Sequence, residues 1–470
     1  MKKIISRGKI WCFAVGQLGW SILSALISSW LVNYYQPDTK TVVEEGHKVF
    51  VTQGAIFIGL TVVGLITAFG RVFDAVTDPL IASASDRCRS KNGRRIPFMK
   101  WAAVPFGVVT ALVFFSPVGG NEGSAGVINA IFLFVMVTLF YLFMTMYCTP
   151  YNALIAELGS TQKTRMKIST CISFTFIAGM AFAYLAPVIW GALIGMGLER
   201  MLAIRLTMGF LALIGIGCML VPVFTIKEND YVEIHPSEDS AFRSLAATFK
   251  NREFRHFVVS DIVYFLGITM FQTALPFFVT SLLGMDEMYS TLFFILLTAL
   301  SLVFYPFVGK ITRRFGKKTP VLAAFGIFTL AFVYAAHLGD TLSFMPPLAQ
   351  GVILCVIASP AQALFGILPQ AMVADIAESE EKTTGVNRSG MFFAARTFAM
   401  KMGQGAAMLL VTSLATIRSD IGLGYRLVAL SAAVACVLGG LALLLYNEKK
   451  IYAKLELDSH GNKIDAGERE

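Results

Sequence analysis

The stretch G-R-V-F-D-A-V-T-D-P (70–79) sets Arg71, Asp74 and Asp78 inside an apolar segment that runs from about Ala55 to Ile81. Their spacing, i, i+3 and i+7, stacks the three side chains on one face of a helix. Asp74 precedes the basic loop that opens at Asp86. Helical rise puts it roughly 18 Å from that polar edge, near the middle of a hydrocarbon layer ~30 Å thick. Asp78 lies roughly 12 Å from the same edge. Ionisable groups at such depth cost several kcal/mol unless they face a water-filled cavity, pair, or bind an ion. The stretch therefore reads as the ion-binding wall of a membrane transporter.

The rest of the composition fits a lipid environment. The chain has 470 residues, of which 56% are hydrophobic and 15% charged, with a mean hydropathy of +0.67. That is too apolar for a soluble domain of this size. A net charge of +9 raises nucleic acid as a partner, but most Lys and Arg fall in loops and tails on one side of the spans. Membrane insertion imposes that bias, and no nucleic-acid partner is needed to explain it. The seven cysteines are scattered with no C-x-x-C pair, which argues against a disulfide framework or a zinc site. No nucleophile–base pair, metal cluster or phosphate loop suggests an enzyme or a bound cofactor. Lys2, Lys3, Arg7 and Lys9 precede a first apolar run without a small-residue cleavage site, a retained span with a cytoplasmic N-terminus.

Hydropathy predicts an all-α membrane protein with twelve transmembrane helices, at 10–35, 52–84, 97–117, 127–157, 168–195, 202–225, 256–283, 290–309, 319–337, 347–376, 389–414 and 422–446. An even number places both termini on one side, the cytoplasmic face of the cell (inner) membrane. The longest polar stretch, 227–251, separates a six-helix bundle at 1–226 from a second at 252–446, and 447–470 forms a cytoplasmic tail. Within the linker Phe242, Leu245, Ala246 and Phe249 follow i, i+3, i+4, i+7, a short amphipathic helix along the inner membrane surface; a solvated linker is the alternative. The halves resemble each other. Basic loops at 78–95 and 305–318, acidic-to-basic stretches at 156–165 and 374–388, and Arg-Leu at 205–206 and 426–427 recur in the same order. Three ordered landmarks point to a six-span repeat, the arrangement of a rocking transporter.

Several polar residues then become candidates. Asp74, Thr77 and Asp78 offer hard oxygen ligands, and Pro79 deprives the Ala75 carbonyl of its helical donor. Arg71 balances charge when the site is empty; the alternative is a buried Arg71–Asp74 pair that fixes packing. On the first span Gln17, Ser21, Ser24 and Ser28 form a polar line beside Trp20, readable as substrate contact or as small residues between helices. On the fourth span Tyr141, Thr145, Cys148 or Thr149, and Asn152 share a face. On the eleventh, Thr397, Lys401 and Gln404 do, and Lys401 is placed to face the second-span carboxylates across a cavity. At the inner face, Asp86 with Arg87 and Arg94 is expected to form a charge latch, and Asp261, beside Arg255 and His256, an inner-gate salt bridge.

R-V-F-D-A-V-T-D-P (71–79) with S-D-R-C-R-S-K-N-G-R-R-I-P-F (85–98) resembles the second-span signature of the glycoside–pentoside–hexuronide:cation symporters, relatives of the melibiose permease in the major facilitator superfamily. V-A-D-I-A-E-S-E-E-K-T-T-G (373–385) with F-F-A-A-R-T-F-A-M-K-M-G (392–403) is similar to their tenth-to-eleventh-span signature. The resemblance covers nearly the whole chain. It implies the major facilitator fold of two six-helix bundles, alternating access, and uptake of a sugar driven by Na⁺ or H⁺, by a protein functional as a monomer. It carries cation-site roles to Asp74, Asp78 and Thr145, places Thr77 where the melibiose permease has an asparagine, and matches Arg71 and Lys401 to family residues. Ser21 and Cys148 stand where that permease has sugar-binding aspartates, Asn152 and Gly366 where it has tryptophans, and Ser173 near its fifth-span arginine. The ion site is thus kept and the galactoside site is not. The leading expectation is cation-coupled symport of a sugar or sugar derivative. The alternatives are a lipid or lysolipid carrier on the same fold and a non-transporting membrane sensor.

Overall fold

The computed structural model describes residues 5–455 except 58, 89, 91–92, 160–161, 232–247, 340–341, 386–388 and 419–420. Its long helices are α1 (Arg7–Tyr35), α3 (Val62–Asp86), α4 (Ile96–Leu112), α5 (Gly123–Leu158), α6 (Gln162–Tyr184), α8 (Arg200–Thr225), α9 (Arg252–Phe277), α10 (Met288–Phe315), α11 (Lys318–Ala336), α12 (Pro347–Thr384), α13 (Ser389–Ala415) and α14 (Leu423–Leu444). Short helices α2 (Thr39–Val43), α7 (Ala186–Gly195) and α15 (Glu448–Leu455) accompany them. Among the described residues ten helical segments are long and apolar enough to cross a membrane. The all-α membrane architecture expected from hydropathy is what the chain forms. Of the expected spans, the second (α3) carries four charged residues and the third (α4) has only 17.

Three expected boundaries change. The second span was read as 52–84, but the chain first makes a small antiparallel hairpin, Ala55–Phe57 with Leu60–Thr61. Gly59 turns it at φ +79°, and the helix starts at Val62, where the Thr61 hydroxyl caps the Gly64 N–H at 3.1 Å. A hydropathy count cannot tell an apolar hairpin from a helical turn. The fifth span breaks at Leu185 between α6 and α7, because Pro187 cannot donate a helical hydrogen bond. The seventh ends in a π-helical turn, Phe278–Leu282, just after Pro276. The amphipathic-helix reading of the linker falls mostly outside the described residues.

The chain divides into two compact units, Met1–Asp239 and Ser240–Glu470. In the first, α1 lies against α6 and α8, α4 against α5 and α8, and α3 against α5. In the second, α9 lies against α13 and α14, α11 against α12 and α14, and α10 against α12. The neighbour scheme is the same with α1, α3, α4, α5, α6 and α8 replaced by α9, α10, α11, α12, α13 and α14. The outward faces are apolar, as lipid requires: Phe69, Val72, Val76 and Leu80 on α3, and Leu430, Val434, Val437 and Leu441 on α14, are exposed.

The repeat extends to individual bonds. Glu228, buried after α8, accepts the N–H groups of Arg94 (3.0 Å), Arg95 (2.8 Å) and Ile96 (3.1 Å) at the start of α4. Glu448 does the same for Lys317 (2.7 Å) and Lys318 (3.0 Å) at the start of α11. A carboxylate there satisfies donors that the helix itself cannot and meets the positive end of its dipole. Each carboxylate sits where a glycine has no side chain: a Cβ on Gly93 would lie 2.3 Å from Glu228, and one on Gly316 2.7 Å from Glu448. Buried amides do a matching job at the other end of each unit. Asn129 of α5 bonds to Val118, Gly120 and Phe50. Gln350 of α12 bonds to Gly339, Leu342 and Met345.

Candidate cation and substrate site

The site is built where α3 and α5 come close. A Cβ on Gly70 would lie 2.5 Å from the Tyr141 ring, so glycine is what lets the two helices meet. Beyond that contact the polar side chains form two rungs. Thr145 Oγ1 donates to Asp74 Oδ1 at 2.6 Å, and one turn along Thr149 Oγ1 donates to Asp78 Oδ1 at 2.9 Å. Thr77 Oγ1 lies 3.5 Å from Thr145 Oγ1 and donates to the Phe73 and Asp74 carbonyls. The polar face of α3 is opposite its Phe69–Leu80 apolar stripe, so the carboxylates turn away from lipid. Asp74 is fully buried, at 0% exposure, and Asp78 is half-buried. The α3 helix runs unbroken through Pro79 to Asp86.

Arg71 lies on α3 three residues before Asp74 and is buried. Its guanidinium carbon lies 5.1 Å from the Tyr141 ring centroid, a cation–π contact, and its Nε makes no hydrogen bond among the described residues. Two carboxylates, three hydroxyls and this one guanidinium thus share two helical turns. Hydroxyls that donate to carboxylates keep lone pairs for a ligand, so the patch supplies the oxygen set that hard cations prefer. Among the described residues no group of three or more His, Cys, Asp or Glu gathers into a transition-metal site.

The candidate substrate residues are dispersed. On α1, Gln17 and Ser21 are buried and bond to each other: Gln17 Nε2 donates to Ser21 Oγ at 3.2 Å, and Ser21 Oγ donates to the Gln17 carbonyl. Ser21 also presses on Gly179 of α6, where a Cβ would lie 2.6 Å from its own. Trp20 is half-buried, 6.2 Å from the Phe176 ring, with an indole N–H that has no partner among the described residues. Cys148 is half-buried and Asn152 exposed. Lys401 is buried on α13 of the second unit, at 6% exposure.

The expected latch assembles with a different arginine. Arg95 Nη2 lies 2.5 Å from Asp86 and 3.2 Å from Glu157, and Arg94 Nη2 lies 2.5 Å from Glu157 and only 3.9 Å (Nη1) from Asp86. Arg87, expected in the latch, is exposed and forms no ion pair among the described residues; it follows the last residue of α3, while Arg94 and Arg95 lead into α4. Asp261 is expected to form a salt bridge near the inner boundary, and it does form an ion pair. Its partner is Arg396 of α13, whose Nε and Nη2 donate at 2.9 and 3.1 Å. Arg255 and His256 lie more than a turn away on the same helix, on other faces. The sequence alone does not single out Arg95, Glu157, Glu228 and Arg396 as polar partners, and it places Thr149 on the polar face of the fourth span without pairing it to Asp78. Thr149 carried a signal, since it follows Thr145 as Asp78 follows Asp74.

The model of the family described as MFS/sugar transport protein matches residues 12–446. The chain belongs to this family. As an MFS/sugar transport protein it resembles the "Putative glycoside/cation symporter YagG" of Escherichia coli (strain K12), with 26% identity over 73% of this chain and 72% of that protein. It also resembles the "Sodium-dependent lysophosphatidylcholine symporter 1" of Xenopus tropicalis, with 21% identity over 82% of this chain and 80% of that one. A crystal structure of the nucleoside transporter NupG shares the fold, with a TM-score of 0.62 and 14% identity over 93% of this chain and 98% of that one. The MFS fold and a multi-pass membrane transporter follow, as the sequence motifs led one to expect.

Proposed function

We propose that the protein is a symporter that couples movement of a sugar or sugar derivative to Na⁺ or H⁺ bound at Asp74 and Asp78. The observation that carries this reading is the pair of carboxylate–hydroxyl rungs between α3 and α5. A fully buried acid on a lipid-spanning helix is costly, and a bound monovalent cation or proton removes that cost. Thr77, Thr145 and Thr149 complete the ligand set, with Arg71 as the counter-charge. Substrate and ion then share one free-energy cycle, in which each raises the affinity for the other. Trp20, with its unspent indole N–H, and Gln17 on α1, together with Cys148 and Asn152 on α5, supply the substrate contacts of the first unit. The basic loops support a cytoplasmic position for both termini, and on this reading the working unit is one chain in the cell membrane.

The glycoside/cation name of one relative supports a sugar. The lysophosphatidylcholine name of another supports a second reading, a sodium-coupled carrier of lysolipid, and the replacement of family sugar-site aspartates by Ser21 and Cys148 agrees with it. Uptake into proteoliposomes separates them. A panel of labelled glycosides, hexuronides and lysophospholipids is offered with Na⁺ and pH gradients varied independently. The proposal expects gradient-driven accumulation of a sugar-class solute that Asp74→Asn abolishes. Accumulation of lysophospholipid alone selects the second reading, and equal uptake by wild type and the variant overturns both.

A further inference from the structure

At the basic end of the second unit a cavity of about 240 Å³ opens between the first turn of α9, the end of α12 and α15. Its wall carries four cations, Lys250, Arg252, Lys450 and Lys454, and two carboxylates, Glu253 and Glu380. Both carboxylates are already engaged. Glu253 accepts the Asn447 N–H at 2.9 Å and lies 3.5 Å from Lys450, and Glu380 accepts from Asn251 Nδ2 at 2.8 Å. Lys250, Arg252 and Lys454 form no ion pair among the described residues. The cavity also faces the N-terminus of α9, where Asn251 caps the Phe254 N–H at 3.0 Å. Positive charge thus exceeds negative at a concave position that is open to solvent on one side.

We infer that this cavity binds a phosphate-bearing anion. A single carboxylate would leave half of the surplus charge unmatched, whereas a phosphate can carry two charges and offers several acceptor oxygens to an arginine fork and lysine point charges. The volume is below that of drug-sized ligand sites and suits a phosphate group with a short polar stub. α9 enters the membrane from this cavity, so a phospholipid headgroup and a free phosphate can both reach it. The site is separate from the proposed cation rungs, which lie in the other unit, and it does not depend on their assignment.

The test uses the full chain with two probes: inorganic phosphate added to detergent-solubilised protein, and phosphatidylglycerol doped into phosphatidylcholine nanodiscs. Phosphate binding is read as a rise in melting temperature against chloride at equal ionic strength, and retained lipid by native mass spectrometry. The variant carries Lys250→Gln, Arg252→Gln and Lys454→Gln together. A control carries Lys310→Gln, Arg313→Gln and Arg314→Gln, which removes the same charge from the end of α10. Basic side chains near an anionic surface act nearly additively, so the first variant is expected to bind roughly 100-fold more weakly and the control as wild type. Loss with phosphatidylglycerol alone assigns a lipid headgroup, and loss with inorganic phosphate assigns a soluble source; either supports the site. Absence of binding to wild type, equal binding by the first variant, or an equal loss in the control overturns it.

Discussion

In the proposed coupling Asp74 carries the chemistry, because burial leaves its charge nowhere to go except to a cation, a proton or a donor. Thr145 holds one oxygen at 2.6 Å, which fixes where the carboxylate points. Removing a side chain that orients a ligating group typically costs 10–100-fold in ion affinity. Thr145→Val is therefore expected to raise the cation concentration for half-maximal uptake about 10–100-fold, measured in proteoliposomes, with normal membrane insertion. A second single-residue effect sits in the loop after α1. His47 is buried, with Nε2 donating to the Tyr34 carbonyl at 2.9 Å and Nδ1 accepting from Arg200 Nε at 3.4 Å. Burial pushes its pKa down to about 4, and the nearby Glu45 is occupied by Arg200. Because the unfolded chain takes up this proton first, near pH 6.5, the contribution of His47 is complete above that pH and is lost as pH falls towards 4. Melting temperature followed between pH 8 and about 4 should fall more steeply in wild type than in His47→Gln; parallel curves would contradict it.

At the scale of elements, close approach and capping decide which residues meet. Gly70 sets the α3–α5 distance, so Gly70→Val is expected to part the rungs and abolish cation-stimulated uptake while leaving the acids in place. Gly93 and Gly316 have φ of +101° and +74° and face the Glu228 and Glu448 carboxylates. Alanine at either adds a clash to a backbone that L side chains rarely adopt, at about 1–3 kcal/mol each; thermal unfolding of the two variants should show similar losses, since the two sites are equivalent. These elements were unequally legible in the sequence. The helices and the buried charges Asp74 and Asp78 could be read because charge in an apolar run and helical spacing are local signals, whereas a cation-site role for Thr145 comes only from the family resemblance. Glu228 and Arg396 could not, because their partners lie 134 and 135 residues away and nothing local marks the contact. The hairpin before α3 was misread for the opposite reason: its residues are locally as apolar as a helix.

For the molecule as a whole, the recurrence of the same helix neighbours and the same capping carboxylates in both units makes the chain two versions of one six-helix plan. The proposed cation rungs break that likeness. The α10 and α12 helices, which take the places of α3 and α5, carry Tyr305 and Gly366 where a polar ladder would sit, with a Cβ on Gly366 falling 3.0 Å from the Tyr305 hydroxyl. On the proposed reading one unit is specialised for the ion, and this is the claim on which that reading rests. The most direct test is the infrared carboxylate signal of the purified protein during titration with Na⁺ and with acid. The account predicts a saturable change with at least one of the two that Asp74→Asn removes. A signal unchanged in the protein bearing both Asp74→Asn and Asp78→Asn would contradict it.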